Sequence, residues 1–129
     1  MSLRPGFSII IPTFNRAFCI CEAVDSVLMQ NYPDFELIVV DDGSSDGTDM
    51  LLKERYGAEM ACGRLKYLQS GHEGVSAARN KGLRAATREW AGYLDTDNRM
   101  CADYFAVFEN AVRTGGAKCY YAQIKHLNN

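Results

Sequence analysis

The sequence predicts an α/β fold built on a doubly wound, mostly parallel sheet, and three observations predict it. Short apolar, β-branched runs recur, as in Ser8-Ile9-Ile10-Ile11-Pro12 and Leu37-Ile38-Val39-Val40. Segments of helical periodicity separate them. The runs end abruptly in a proline or in acids, as strands buried on both faces do when they reach a polar rim. Strands alternating with helices imply βαβ units with right-handed crossovers, and hence a layered sheet.

Residues 7–12 form the first expected strand, stopped by Pro12, and Thr13-Phe14-Asn15-Arg16 is turn-like. Ala17, Ile20, Cys21, Val24, Val27 and Leu28 then recur at spacings of three and four, an amphipathic helix closed by Asn31-Tyr32-Pro33. Residues 35–40 read as a second strand ending at Asp41-Asp42-Gly43, and 44–48 offer several N-caps for a helix to about residue 56. Residues 65–68 are a weaker strand, 71–74 a glycine-flanked loop, and 75–87 a helix in which Gly82 permits close packing. Residues 90–94 are a strand that again ends in acids, Asp95-Thr96-Asp97. Tyr104, Phe105, Phe108, Ala111 and Val112 share one face of a further helix closed by Gly115-Gly116, and its aromatic residues read as core. Residues 118–125 read as a last strand.

The composition, 129 residues with 47% apolar, 23% charged and a net charge of -2, is that of one ordinary globular domain. Residues 1–6 are read as an N-terminal extension or remnant and 7–129 as the domain. The slight acidic balance argues against a nucleic-acid-binding module. No apolar run approaches the ~20 residues of a membrane helix. Five cysteines, an odd number without a Cys-x-x-Cys pair, suit reduced thiols in a cytoplasmic protein.

In open α/β sheets, ligands bind beyond the carboxyl ends of the strands. Those ends carry Pro12-Thr13, Asp41-Asp42-Gly43 and Asp95-Thr96-Asp97. The turn after the first strand lacks the Gly-x-Gly-x-x-Gly of dinucleotide sites, and no P-loop occurs, so both readings fail. On an extended chain Asp95 and Asp97 lie on one side, where two carboxylates with phosphate oxygens and water suit Mg²⁺ or Mn²⁺. Alone, the same tripeptide is as readily a solvated turn. Asp41 and Asp42 are adjacent like charges ending a buried strand, an arrangement that calls for a cation or a donor-rich partner. His72 reads as an exposed loop histidine. Arg79, Lys81, Arg84 and Arg88 fall on too many helix faces to make a basic stripe.

In this order and spacing the motifs resemble the family 2 glycosyltransferases, whose nucleotide-sugar-binding GT-A fold is Rossmann-like. The likeness runs from about residue 7 to 125. It rests on Ser8-Ile9-Ile10-Ile11-Pro12-Thr13-Phe14-Asn15-Arg16, Val24-Asp25-Ser26-Val27-Leu28-Met29-Gln30, the segment 35–48, Gly74-Val75-Ser76-Ala77-Ala78-Arg79-Asn80-Lys81-Gly82, and Tyr93-Leu94-Asp95-Thr96-Asp97. The resemblance implies that Pro12 and Thr13 line a uridine pocket, with Asn15 in the same donor-binding set. It places Asp42 as acceptor for the base N3–H, with Asp41 beside it, and Arg79 near the nucleotide. It assigns Asp95 to the ribose and metal, and Asp97 as a ligand of Mn²⁺ or Mg²⁺. There are departures: Asn98 replaces a third acid, Arg88 a common glycine and His72 a common asparagine.

Family members usually run further, and their later half supplies the acceptor site and a carboxylate base. That base is therefore expected outside this chain, and neither Asp103 nor Glu109 is nominated for it. The implied function is inverting transfer from a UDP-sugar to a hydroxyl of a glycan or lipid-linked acceptor, in cell-surface polysaccharide or glycolipid synthesis. Peripheral association with the inner face of the membrane and self-association are further expectations. A nucleotidyltransferase would show a glycine-rich signature after the first strand. The remaining alternative is a non-catalytic nucleotide-sugar-binding or interaction domain.

Overall fold

The computed structural model describes residues 4–118. In chain order it contains β1 (Phe7–Thr13), α1 (Ile20–Leu28), β2 (Phe35–Asp41), α2 (Thr48–Arg55), α3 (Gly57–Ala61), β3 (Leu65–Gln69), α4 (Val75–Ala85), β4 (Trp90–Tyr93) and α5 (Tyr104–Thr114). The four strands pair in parallel in the order β3-β2-β1-β4. Phe7 lies opposite both Phe35 and Trp90, and Thr13 opposite Asp41, so β1 and β2 run in step to the same rim.

Every residue of β1 and β2 is buried, as their unbroken apolar runs require. Side chains alternate between the two faces of the sheet. Phe7, Ile9, Ile11, Phe35, Leu37 and Val39 pack with α1, Leu52 of α2 and Phe105 of α5, whereas Ile10, Ile38 and Val40 pack with Ala78 of α4. The split follows from handedness. The chain moves β1 to β2 to β3 in one direction and then returns across them to β4, so α4 lies on the opposite face. Gly82 lets α4 approach, since a Cβ there would meet Ile10 Cγ2 at 2.5 Å. Phe105 stands 5.1 Å from the Phe7 ring and 5.0 Å from that of Phe35, so it is core, as its place on the apolar helix face predicts.

Three boundaries and one short helix differ from expectation. The first helix begins at Ile20, because Ala17 N donates to Asp46 Oδ2 and Cys19 N and Ile20 N donate to Arg16 O in a preceding turn. The second helix ends by Tyr56 as expected, but a short α3 follows the corner, where the buried Tyr56 hydroxyl donates to Asp25 Oδ1 at 2.6 Å. The third stops at Ala85, because Thr87 is drawn onto a carboxylate of β2. The strand after it ends at Tyr93, although Leu94 N still donates to Ile10 O. The last expected strand, apart from Lys118, lies outside the described residues.

That carboxylate is Glu36, 1% exposed on the α4 face. Ser8 Oγ and Thr87 N each donate to its Oε2 at 2.7 Å, Thr87 Oγ1 donates at 2.9 Å, and Lys66 Nζ stands 2.8 Å from Oε1. One side chain thus ties β1, β2, β3 and the α4–β4 connection. Burial pushes its pKa up, but the Lys66, Ser8 and Thr87 donors outweigh burial and hold it at about 2, against an ordinary 4.5. The stabilisation is therefore complete above pH 4.5 and is lost as pH falls through about 2. Its full extent is roughly 3 kcal/mol. Urea unfolding followed from pH 6 to pH 2 is expected to show this loss, and Glu36→Gln to flatten that window while costing about 2–3 kcal/mol at neutral pH.

Candidate functional site

The order β3-β2-β1-β4 puts a switch point beside β1, where the chain leaves toward β2 on one side and lies against β4 on the other. Open α/β sheets bind ligands at such crevices. A cavity of ≈ 310 Å³ opens there, lined by Pro12, Thr13, Phe14, Arg16, Asp42, Val75, Ala78, Asp95, Thr96 and Asp97. Pro12, Thr13, Asp42, Asp95 and Asp97, singled out from the sequence, thus meet on one wall; Asn15, Asp41 and Arg79 are not on that lining. A larger hollow of ≈ 760 Å³ lies between β3 and α4, lined by Leu68, Ser70, Glu73, Lys81 and Arg84 among others. It is open and lacks the strand-end carboxylates, so the smaller cavity is the candidate.

The two adjacent acids at the end of β2 diverge, because successive side chains point to opposite faces. Asp41 accepts from Ser44 N at 2.9 Å and from Tyr67 Oη at 2.5 Å. Burial, with that bond to Asp41, pushes the Tyr67 hydroxyl pKa up. Asp42, 4% exposed, accepts from Ser70 Oγ at 2.9 Å, Glu73 N at 2.7 Å and Gly74 N at 2.8 Å. Burial alone would raise its pKa; the Glu73, Gly74 and Ser70 donors prevail and hold it below the ordinary carboxylate value. The pair called for a cation or a donor-rich partner, and the protein's own loops supply the donors. Tyr67, Ser70 and the amides of Glu73 and Gly74 escaped the sequence reading. Only the glycine-flanked loop signalled their place.

Asp95 and Asp97 do not lie on an extended chain, as the period-two reading expects. β4 ends at Tyr93, and Asn98 N donates to Asp95 O at 3.1 Å, closing a turn that buries Thr96 between the two acids. Both acids nonetheless reach the cavity. Arg79 Nη2 donates to Asp95 Oδ1 at 3.1 Å, which brings Arg79 to the site through its partner. Asn15 adopts φ +52°; its N donates to Ser44 Oγ and its Oδ1 accepts from Ser45 N, each at 2.8 Å, so it pins two rim loops together.

Two buried polar atoms at this rim have no partner: Thr13 Oγ1 and Arg79 Nε. Polar atoms left so are costly unless a ligand or water completes them. Among the described residues no three or more His, Cys, Asp or Glu side chains gather as a self-sufficient metal site. Asp95 and Asp97 offer the hard oxygen donors that Mg²⁺ or Mn²⁺ accepts, and such ions commonly take their other ligands from phosphate and water.

Comparison with known proteins bears on the family and the fold. The model of the family described as Glycosyl transferase family 2 matches residues 8–128. A Campylobacter jejuni relative, named GalNAc(5)-diNAcBac-PP-undecaprenol beta-1,3-glucosyltransferase, is 30% identical over 118 residues, covering 90% of this chain and 37% of its own length. The crystal structure of Staphylococcus aureus TarS superposes with a TM-score of 0.74 at 29% identity, over 84% of this chain and 32% of that one. TarS has also been solved with UDP-GlcNAc. The mannosyltransferase PcManGT of Pyrobaculum calidifontis, solved with GDP-Man and Mn²⁺, superposes at 0.73 with 32% identity, over 87% of this chain and 32% of that one. The chain therefore spans about a third of the length of these proteins.

Because Asp42 holds the 70–74 loop, Asp42→Ala is expected to release it. Hydrogen exchange at the Glu73 and Gly74 amides should quicken at least tenfold, and stability should fall by about 2 kcal/mol. Unchanged protection of those two amides would show that the loop is held by other means.

Proposed function

The chain belongs to glycosyl transferase family 2, and from that premise we propose that residues 7–129 form the donor-binding domain of a glycosyltransferase that takes a UDP-sugar with Mn²⁺ or Mg²⁺. The observation that carries the reading is the single cavity on which Pro12, Thr13, Asp42, Asp95 and Asp97 converge from three parallel strand ends.

Pro12 and Thr13 would line the uridine, with the unpartnered Thr13 hydroxyl free to bond it. Asp42 would accept the base N3–H. An ionised carboxylate has about four acceptor positions, and the loop takes three of them on Asp42. One remaining position suits uracil, which presents a single N–H, better than guanine, which presents N1–H and N2–H₂ side by side. Cytosine has no N3–H and would leave the buried acceptor unmatched. Arg79 would sit near the nucleotide while orienting Asp95, and Asp95 and Asp97 would hold the metal ion and the ribose side of the donor. A bound divalent ion would supply charge neutralisation of the diphosphate leaving group. Asn15 would act by holding the rim loops.

Transfer itself requires a base to take the acceptor hydroxyl proton during in-line, inverting attack at the anomeric carbon. Glu109 is occupied by Arg4 and Arg113, and neither it nor Asp103 lines the cavity. The base is therefore assigned to protein beyond these residues. The name of the Campylobacter relative supports an acceptor of the lipid-linked class. No helix among the described residues is long and apolar enough to cross one.

Titration calorimetry with UDP and GDP, with and without Mn²⁺, tests the reading. UDP is expected to bind more tightly than GDP, and binding to strengthen with metal. Asp97→Ala should abolish the metal effect and Asp42→Ala should weaken UDP binding, each by about ten- to a hundredfold. Absence of metal-dependent binding of either nucleotide refutes the proposal.

A further inference from the structure

We propose that His72 is a residue of the donor site that competes with the nucleobase N–H for the last free acceptor position of Asp42. The inference rests on the donor-binding reading above, and it concerns a residue that is neither on the cavity lining nor among those the sequence singled out for the site.

Two acceptor positions on Asp42 Oδ1 are taken by Ser70 Oγ and Glu73 N, and one on Oδ2 by Gly74 N. The open position is therefore on Oδ2, and His72 Nδ1 stands 3.7 Å from that oxygen. This is too long for a hydrogen bond between the two as they stand. It is short enough for a small ring rotation to close it once the imidazole carries a second proton.

The ring is not there by chance. His72 adopts φ +58°, a left-handed conformation that a non-glycine residue keeps only where its surroundings impose it. Here they do. The loop hangs on Asp42 on both sides of His72, through Ser70 before it and Glu73 and Gly74 after it. The imidazole lies 4.2 Å from the Phe14 ring, and a Cβ on Gly43 would meet His72 N at 3.3 Å. Phe14 and Asp42 both line the cavity, so His72, its side chain 66% exposed, flanks the edge where the base would sit. The charged groups around it are Asp42 from the end of β2 and Glu73 beside it in its own loop, and the β1–α1 loop brings Arg16 along the same wall.

Neutral His72 leaves Oδ2 to the ligand. Protonated His72 turns its Nδ1–H to that oxygen and excludes the ligand donor, so base binding and imidazole protonation are mutually exclusive. Where imidazole protonation and base binding compete for Oδ2, affinity for the base falls as pH falls. Asp42, held below the ordinary carboxylate value by its donors, stays ionised throughout.

The test is calorimetric titration with UDP-N-acetylglucosamine at saturating Mg²⁺, whose diphosphate diester does not titrate in this range. The wild-type Kd is expected to rise three- to tenfold from pH 7.5 to 5.5. His72→Asn, an amide that tolerates the left-handed conformation, should reduce that ratio to less than twofold, and His72→Gly, free of the conformational restriction, should do the same. A flat wild-type profile, or variants as steep as wild type, overturns the role of His72 and leaves donor binding standing. No binding at either pH overturns both.

Discussion

β2 carries a buried carboxylate near each end, and both are bonded to the segment that contains α4. Glu36 takes the backbone N–H and hydroxyl of Thr87 just after the helix; Asp42 takes the N–H groups of Glu73 and Gly74 just before it. α4 is the crossover that carries the chain from β3 back over the sheet to β4. Its hydrophobic contact is modest, since the core on that face comprises Ile10, Ile38, Val40 and Ala78 with a few half-buried neighbours. A helix of 11 residues with so small an apolar seat needs its ends fixed, and charge-assisted bonds to β2 fix them. Val75 and Ala78 on the cavity wall, and Arg79 beside Asp95, are where they are because α4 is held at both ends.

The two clamps differ in what they leave over. Glu36 is enclosed by Ser8, Thr87, Lys66 and Arg88 and lines neither of the two cavities. Asp42 is as deeply buried but stands at the rim, with one acceptor position facing a cavity. Burial makes an unpaired acceptor costly, so the same desolvation that strains Asp42 gives a matching donor unusual value there. In the proposed donor site, structural and binding roles would thus be joined in one carboxylate, coupling loop order to ligand selection.

Most of the fold was legible because it rests on local signals. Unbroken β-branched runs marked β1 and β2, three- and four-residue spacing marked α1, and the aromatic face of α5 proved to be core at Phe105. What was not legible depends on atoms that leave no trace in composition. The short α3 after Tyr56 was not expected, and the Tyr56 hydroxyl at that corner reaches Asp25, 31 residues away. The turn at Asp95–Asn98 depends on a single backbone bond, so the strand rule carried the extended reading one residue type too far. At the site, residue types and strand ends located Pro12, Thr13, Asp42, Asp95 and Asp97. The donors that occupy Asp42 are mainly backbone N–H groups, which every residue but proline owns, and no motif could announce them.

The acidic rim makes physical sense once committed and uncommitted atoms are separated. Asp41, Asp46 and most of Asp42 are consumed by loop amides and hydroxyls, so their charges serve to build the rim. Asp95 is partly neutralised by Arg79, which leaves Asp97 as the acid on the cavity lining for which no hydrogen bond or ion pair is found among those of the described residues. A cavity that carries one lightly engaged carboxylate at one end, one acceptor position at the other and an unbonded threonine hydroxyl between them is matched to an elongated ligand. Such a ligand has an N–H at one end, oxygen-rich groups along its middle and a metal-chelating anionic segment at the far end. A nucleoside diphosphate has that order of groups, and neither a bare sugar nor a free metal ion does. The distribution of unspent hydrogen-bonding capacity, more than the count of acids, is what the proposed nucleotide donor would use.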